Sequence, residues 1–152
     1  MLQAGDQAPD VALVDESGAR TTLHALLDRP VVLYFYPKDD TPGCTAEACA
    51  FRDAYESFTD AGADVVGVSS DSQHAHAAFK ARHRIPFRLM SDPDANARTA
   101  FGVPKTFGII PGRATFVIAR DGTIRYAFNS QFMATAHVAN ALKALAASTS
   151  SA

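Results

Sequence analysis

Hydrophobic and polar positions along the chain follow two different periods. Val31-Val32-Leu33-Tyr34-Phe35-Tyr36 is continuously apolar, β-branched and aromatic, the pattern of a central strand covered on both faces; Pro37 ends it. Val11 to Val14 and Arg20 to Thr22 flank the turn-rich Asp15-Glu16-Ser17-Gly18, which predicts a small β-hairpin ahead of the main fold. Ala63 to Ser69 is a second buried-strand run, and a helix is predicted after it over Ser72 to His83, capped by Ser70 or Asp71. After an irregular stretch rich in Pro, Asp and Gly, Ala114 to Ala119 and Thr123 to Phe128 are joined by the hairpin turn Asp121-Gly122. From about Ala134 to Ala147, Val138, Ala141, Leu142 and Leu145 recur on one helical stripe, and Ser148 to Ala152 is expected to fray. The order β-α-β-α-β-β-α, with the hairpin in front, predicts a single α/β domain over residues 1–147: a mixed sheet covered by helices on both faces.

Composition narrows the function. With 152 residues the chain suits one core, and 47% apolar against 20% charged residues is the balance of a folded domain. Fourteen Lys and Arg against 16 Asp and Glu leave a net charge of -2, so neither nucleic acid nor an anionic membrane surface is an expected partner. The longest strongly apolar run, Val31 to Tyr36, falls far short of the roughly 20 residues that span a bilayer. Met1 to Asp6 is neither basic nor apolar, so a cytoplasmic location is expected. Two cysteines in such a chain point to redox or metal chemistry rather than to a disulfide scaffold.

Those cysteines lie in Pro37-Lys38-Asp39-Asp40-Thr41-Pro42-Gly43-Cys44-Thr45-Ala46-Glu47-Ala48-Cys49, between the first buried strand and a helix. Thr41 has N-cap character and Pro42 suits the first helical position, which sets Cys44 in the first turn. Unpaired N–H groups and the positive end of the helix dipole favour an anion there, hence a nucleophilic thiolate. At 100° per residue, Phe51, Tyr55 and Phe58 fall within roughly 40° of Cys44, whereas Cys49 lies about 140° away among Asp53, Glu56 and Asp60. Cys44 is thus expected to face the core and Cys49 the polar side. In an intact helix their Cα atoms are roughly 8.6 Å apart, beyond the roughly 4.4 to 6.8 Å of a disulfide. Any bond between them requires the first turns to unwind, and Pro42-Gly43 has poor helix propensity.

The signature Pro37-x-x-x-Thr41-x-x-Cys44 resembles the active-site motif of the peroxiredoxins. Thr41-Pro42-Gly43-Cys44-Thr45 with Cys49 five residues on is similar to the Q, or bacterioferritin comigratory protein, type. Arg113-Ala114-Thr115-Phe116-Val117-Ile118, followed by Asp121-Gly122, resembles the strand that carries that family's active-site arginine. The resemblance runs from about Gly5 to the last helix. It implies a thioredoxin-like sandwich, which the element order admits alongside other α/β folds. It also implies a thiol peroxidase in which Cys44 attacks hydrogen peroxide or an organic hydroperoxide and becomes a sulfenic acid. By the same resemblance Thr41 hydrogen-bonds peroxide and thiolate, Arg113 stabilises the thiolate and polarises the reacting oxygens, and Pro37 shields the site from water. No metal or organic cofactor is implied. The sulfenic acid must be removed before a second peroxide oxidises it further. Cys49 matches a resolving position in the same helix, which implies an intramolecular Cys44–Cys49 disulfide reduced by thioredoxin or a similar dithiol protein. Many family members carry the resolving cysteine on the following helix or lack one, and Ser72 to His83 contains none. An internal disulfide makes a monomer the expectation.

Plainer readings stand beside these. Cys44 read alone is a small buried hydrophobe, Cys49 a surface thiol, Thr41 a helix cap and Arg113 a solvated loop charge. Asp39 and Asp40 read as polar turn residues, and His74 and His76, about 200° apart around their helix, as surface histidines. Arg82-His83-Arg84 with Arg88 reads as a solvated basic face. Cys44 and Cys49 project apart without a second cysteine pair, which argues against a zinc site. Two other functions compete with peroxide reduction. One is a thioredoxin-like disulfide reductase, which favours Cys-x-x-Cys over the spacing present. The other is a non-catalytic redox sensor or holdase whose helix melts on oxidation.

Overall fold

The computed structural model describes residues 1–105, 112–130 and 136–150, with side chains up to residue 146. The hairpin of β1 (Ala12–Val14) and β2 (Arg20–Thr22) is antiparallel as expected. β3 (Val31–Phe35) lies parallel to β4 (Asp64–Ser69), which lies parallel to β5 (Arg88–Ser91). β6 (Ala114–Ile118) runs antiparallel to β3 and to β7 (Ile124–Asn129), with an irregularity between Val117 and Ile118. The sheet order is β2-β1-β5-β4-β3-β6-β7. Five helices accompany it among the described residues: α1 (Pro42–Asp53), α2 (Tyr55–Asp60), α3 (Gln73–His83), α4 (Asn96–Phe101) and α5 (Ala136–Ser150).

β3 shows why its sequence has no polar face. Val31, Leu33 and Phe35 join one core cluster with Ala97 and Phe101 of α4. Val32, Tyr34 and Tyr36 join the other, with Phe51, Phe58, Phe79, Val138 and Leu145 from α1, α2, α3 and α5. The period-2 alternation of a strand therefore serves two apolar layers at once. The ring of Tyr34 stacks on Phe51, centroids 4.5 Å apart. A Cβ on Gly67 in β4 would lie 2.8 Å from the Tyr34 ring and hydroxyl, so only glycine lets that ring lie across the sheet. Phe51 is wholly buried, which stabilises α1 against the sheet by about 2–3 kcal/mol and fixes the helix that carries both cysteines.

Several local expectations change. β5 and α4 lie in the stretch read as irregular: Leu89 and Met90 alone carry the strand's burial, and α4 is six residues long. Its N-terminus is held by Asp92, whose Oδ1 and Oδ2 accept the N–H groups of Ala97 (2.7 Å) and Arg98 (2.9 Å). The cysteine helix breaks at Ala54 (φ -95°, ψ 1°) without losing its apolar stripe. The cap of α3 is Ser72, whose Oγ accepts from Ala75 N at 3.1 Å, rather than Ser70 or Asp71. The expected start of the last helix at Ala134 lies outside the described residues, as do 151–152. Residues 148–150, expected to fray, are helical.

Candidate active site

The chain leaves β3 through Tyr36 and Pro37, turns, and enters α1 at Pro42. Thr41 occupies the N-cap position with extended backbone (φ -87°, ψ 150°), but its hydroxyl donates to Lys38 O at 2.8 Å instead of capping the helix. Pro37 is half-buried. Cys44, in the first turn, is 1% exposed, and Phe51 and Phe58 lie in the same core cluster. Cys49 is half-buried, less exposed than a polar-side position suggested. Both thiols are free.

Arg113, immediately before β6, joins them from the far side of the sequence. Its Nη2 donates to Cys44 Sγ at 3.4 Å and its Nη1 to Glu47 Oε1 at 2.5 Å. A Cβ on Gly43 would lie 3.1 Å from Nη2, so the bare glycine gives the guanidinium room against the first helical turn. Burial lowers the pKa of Arg113, but its interactions with Glu47 and Cys44 outweigh that and raise it. The structure thus places Arg113 against Cys44, in the first turn of the helix that Thr41 precedes.

Glu47 and His137 were not anticipated. Glu47, one turn beyond Cys44, is wholly buried, and burial pushes its carboxyl up to about 8 although Arg113 pulls it down. Its Oε2 has no hydrogen-bond partner among the described residues; His137 Nδ1 of α5 lies 3.7 Å from it. His137 is itself buried, Nδ1 at 2.7 Å from Thr115 Oγ1 and Nε2 at 2.9 Å from Ser130 O. A carbonyl only accepts, so Nε2 carries the proton and Nδ1 accepts from the Thr115 hydroxyl. Burial lowers the His137 pKa to about 4, which keeps this tautomer neutral. Tyr34, also wholly buried, is raised well above its ordinary range by burial, then by the charges of Glu47, Asp39 and Cys44. Glu47 had one sequence signal: it lies about 60° from Cys44 around the helix, on the apolar stripe.

Behind the turn, two further readings are corrected. Asp39, read as a polar turn residue, is 6% exposed, and His76, read as a surface histidine, is wholly buried. The Asp39 carboxylate accepts from the Tyr36 hydroxyl at 2.5 Å and from His76 Nδ1 at 2.7 Å, while its backbone N–H donates to Asp71 Oδ2 at 2.8 Å. Ser69 donates to the same Asp71 oxygen at 2.7 Å. Donor atoms of Asp39, Asp71 and His76 lie within 4.8 Å of one another, but each is engaged in these hydrogen bonds, and the cluster clamps the turn to β4 and α3. Arg98, likewise unforeseen, donates to Gly112 O (2.6 Å) and Tyr36 O (3.0 Å), tying both approaches to the cysteine together. Asp40 is exposed, in left-handed backbone (φ 63°), and pairs with Arg82.

The chain matches the AhpC/TSA family over residues 4–127. It is 46% identical over 145 residues to a chloroplastic peroxiredoxin Q of Oryza sativa subsp. japonica, covering 95% of this chain and 67% of that one. With the chloroplastic peroxiredoxin Q of Arabidopsis thaliana the identity is 45% over 147 residues, covering 96% and 68%. Among solved structures, peroxidoxin BcpB from Mycobacterium tuberculosis superposes with a TM-score of 0.89 at 38% identity, covering 97% and 98% of the two chains. The bacterioferritin comigratory protein of Xanthomonas campestris, described for alkyl peroxide reduction, gives 0.85 at 35%, covering 95% and 98%.

Proposed function

The chain belongs to the AhpC/TSA family and is a thiol peroxidase of the peroxiredoxin Q type with a thioredoxin-like fold; from that premise we propose how its residues divide the work. Cys44 is the peroxidatic residue. Its thiolate attacks the terminal oxygen of hydrogen peroxide or an organic hydroperoxide; an S–O bond forms, the O–O bond breaks, and water or an alcohol leaves. The observation that carries this reading is the contact of Arg113 with Cys44 Sγ at 3.4 Å, where Cys44 is almost wholly buried. A guanidinium at that position stabilises the thiolate and is aimed at the charge that develops on the departing oxygen. Because the Thr41 hydroxyl already donates to Lys38 O, its lone pairs are available to accept from the peroxide O–H and orient it. Pro37 covers the site at the end of β3.

Cys49 resolves the sulfenic acid: its sulfur displaces the hydroxyl from Cys44, water is released, and the disulfide forms. The helical spacing keeps the thiols apart while α1 is intact, so its first turns unwind for this step. A dithiol protein such as thioredoxin then reduces the bond. An internal disulfide makes no demand on a second subunit, so the working form is a monomer. Two free thiols suit a reducing compartment such as the cytoplasm.

Peroxide consumption with thioredoxin and its reductase tests the assignment. Cys44→Ser is expected to abolish turnover, whereas Cys49→Ser performs one stoichiometric reaction and then stops. Intact mass after peroxide should show loss of two hydrogens in the wild type. Equal turnover in all three proteins would refute the division of roles.

A further inference from the structure

One guanidinium, that of Arg113, donates to two groups able to carry a negative charge, Cys44 and Glu47. We propose that Glu47 is a positioning residue that stores a proton: it is a neutral carboxylic acid while Cys44 is a thiolate, and it becomes the carboxylate partner of Arg113 once Cys44 is a sulfenic acid. This rests on the reading of Cys44 as the peroxidatic residue.

The geometry supports it from every side of Glu47. Oε1 accepts from Arg113 Nη1, a bond that a neutral carboxyl also makes and that strengthens when the carboxyl ionises. Oε2 is buried and has no hydrogen-bond partner among the described residues; it lies 3.7 Å from His137 Nδ1, a nitrogen whose lone pair is turned toward donors. A carboxylate oxygen set against that lone pair, which already accepts from Thr115, finds no donor there to offset its charge, whereas a protonated oxygen carries no charge to be offset. Thr115 donates to the same nitrogen and supplies no charge. Tyr34, from β3, is neutral in its buried site. Arg98, whose charge also reaches Cys44, has Asp92 as its own counter-charge. Segments 106–111 and 131–135 contain no ionisable side chain. Two buried anions beside one cation would leave a net charge in a wholly buried site, the costliest arrangement open to it.

The reaction moves the charge and leaves the total unchanged. Thiolate, carboxylic acid and hydroperoxide become sulfenic acid, carboxylate and alcohol, or water where the peroxide is hydrogen peroxide. Sulfur loses two electrons to the O–O bond, and the departing oxygen gains a proton as Glu47 gives one up. Arg113 keeps one anion throughout, first the sulfur and then the carboxylate, so the buried site never has to accommodate a second anion as the oxygen leaves.

The chain has three glutamates, Glu16, Glu47 and Glu56, so infrared difference spectroscopy on carbon-13-glutamate-labelled Cys49→Ser protein can follow the proton. In that variant one equivalent of hydrogen peroxide halts at the sulfenic acid. The reduced protein at pH 7 is expected to show a protonated-glutamate band that oxidation converts to carboxylate, and Glu47→Gln should remove it. The proposal is overturned if the reduced protein lacks the band or if the band survives oxidation. If intact mass shows Cys44 unoxidised, the peroxidatic reading fails and this one with it. Kinetics add a second readout. With Glu47 titrating at about 8, its protonated fraction falls about tenfold between pH 7 and 9. The wild-type rate of Cys44 oxidation should decline by up to that factor while Glu47→Gln stays flat; identical profiles would overturn the proposal.

Discussion

Replacing Arg113 with lysine keeps the positive charge and removes the fork. In the wild type one guanidinium nitrogen donates to Glu47 at 2.5 Å and the other to Cys44 Sγ at 3.4 Å. A single ammonium on a flexible stem cannot reproduce that planar two-point grip. A hydrogen bond to a charged group contributes about 1.5–3 kcal/mol, so losing the contact to sulfur should slow oxidation of Cys44 by about 10- to 150-fold. The assay is single-turnover oxidation by hydrogen peroxide, quenched at intervals and read by intact mass, with urea unfolding as a check on the fold. Arg113→Lys reacting within about threefold of the wild-type rate would refute the reasoning. A companion variant presses on the same group from the other side. Gly43→Ala adds a methyl 3.1 Å from Nη2 while raising helix propensity by up to about 1 kcal/mol. Stability should hold or rise as oxidation slows, a divergence that general damage to the fold does not produce.

Asp39→Ala leaves the Tyr36 hydroxyl and His76 Nδ1 without their buried acceptor. At about 1–3 kcal/mol for each orphaned group, urea unfolding should show a loss of about 2–5 kcal/mol; a loss below 1 kcal/mol would mean the clamp is replaced by solvent. Stability should also depend on pH through two groups of opposite sign. His137, held down to about 4 by burial, takes up its proton on unfolding below its ordinary 6.5, so it makes stability rise with pH between about 4 and 6.5. Glu47, pushed up to about 8 by burial, keeps its proton only when folded, so its stabilisation is full below its ordinary 4.5 and is lost as pH rises to about 8. Between pH 4.5 and 6.5 the two oppose each other. Above 6.5 Glu47 acts alone, and unfolding free energy should fall by about 2 kcal/mol by pH 8, a decline that Glu47→Gln removes.

The amino-acid sequence alone determined whatever depends on neighbours a few residues apart. A continuous apolar run specified β3, Asp121-Gly122 the turn between β6 and β7, and Thr41-Pro42 the entry to α1, which put Cys44 in a first helical turn and turned Cys49 away from it. These signals are local because helix and strand periods, caps and turns are set by steric and hydrogen-bonding rules acting within one or two turns of chain. Arg113 was readable only through the motif around it. Tertiary structure decided the polar partners: Asp39 with His76, 37 residues on; Thr115 with His137, 22 on; and Glu47 with Arg113, 66 on. A polar side chain on an apolar stripe announces that a partner exists, but not which one. The partner is chosen by which elements the sheet order brings face to face, and a buried charge or hydrogen-bonding group has no solvent to take its place.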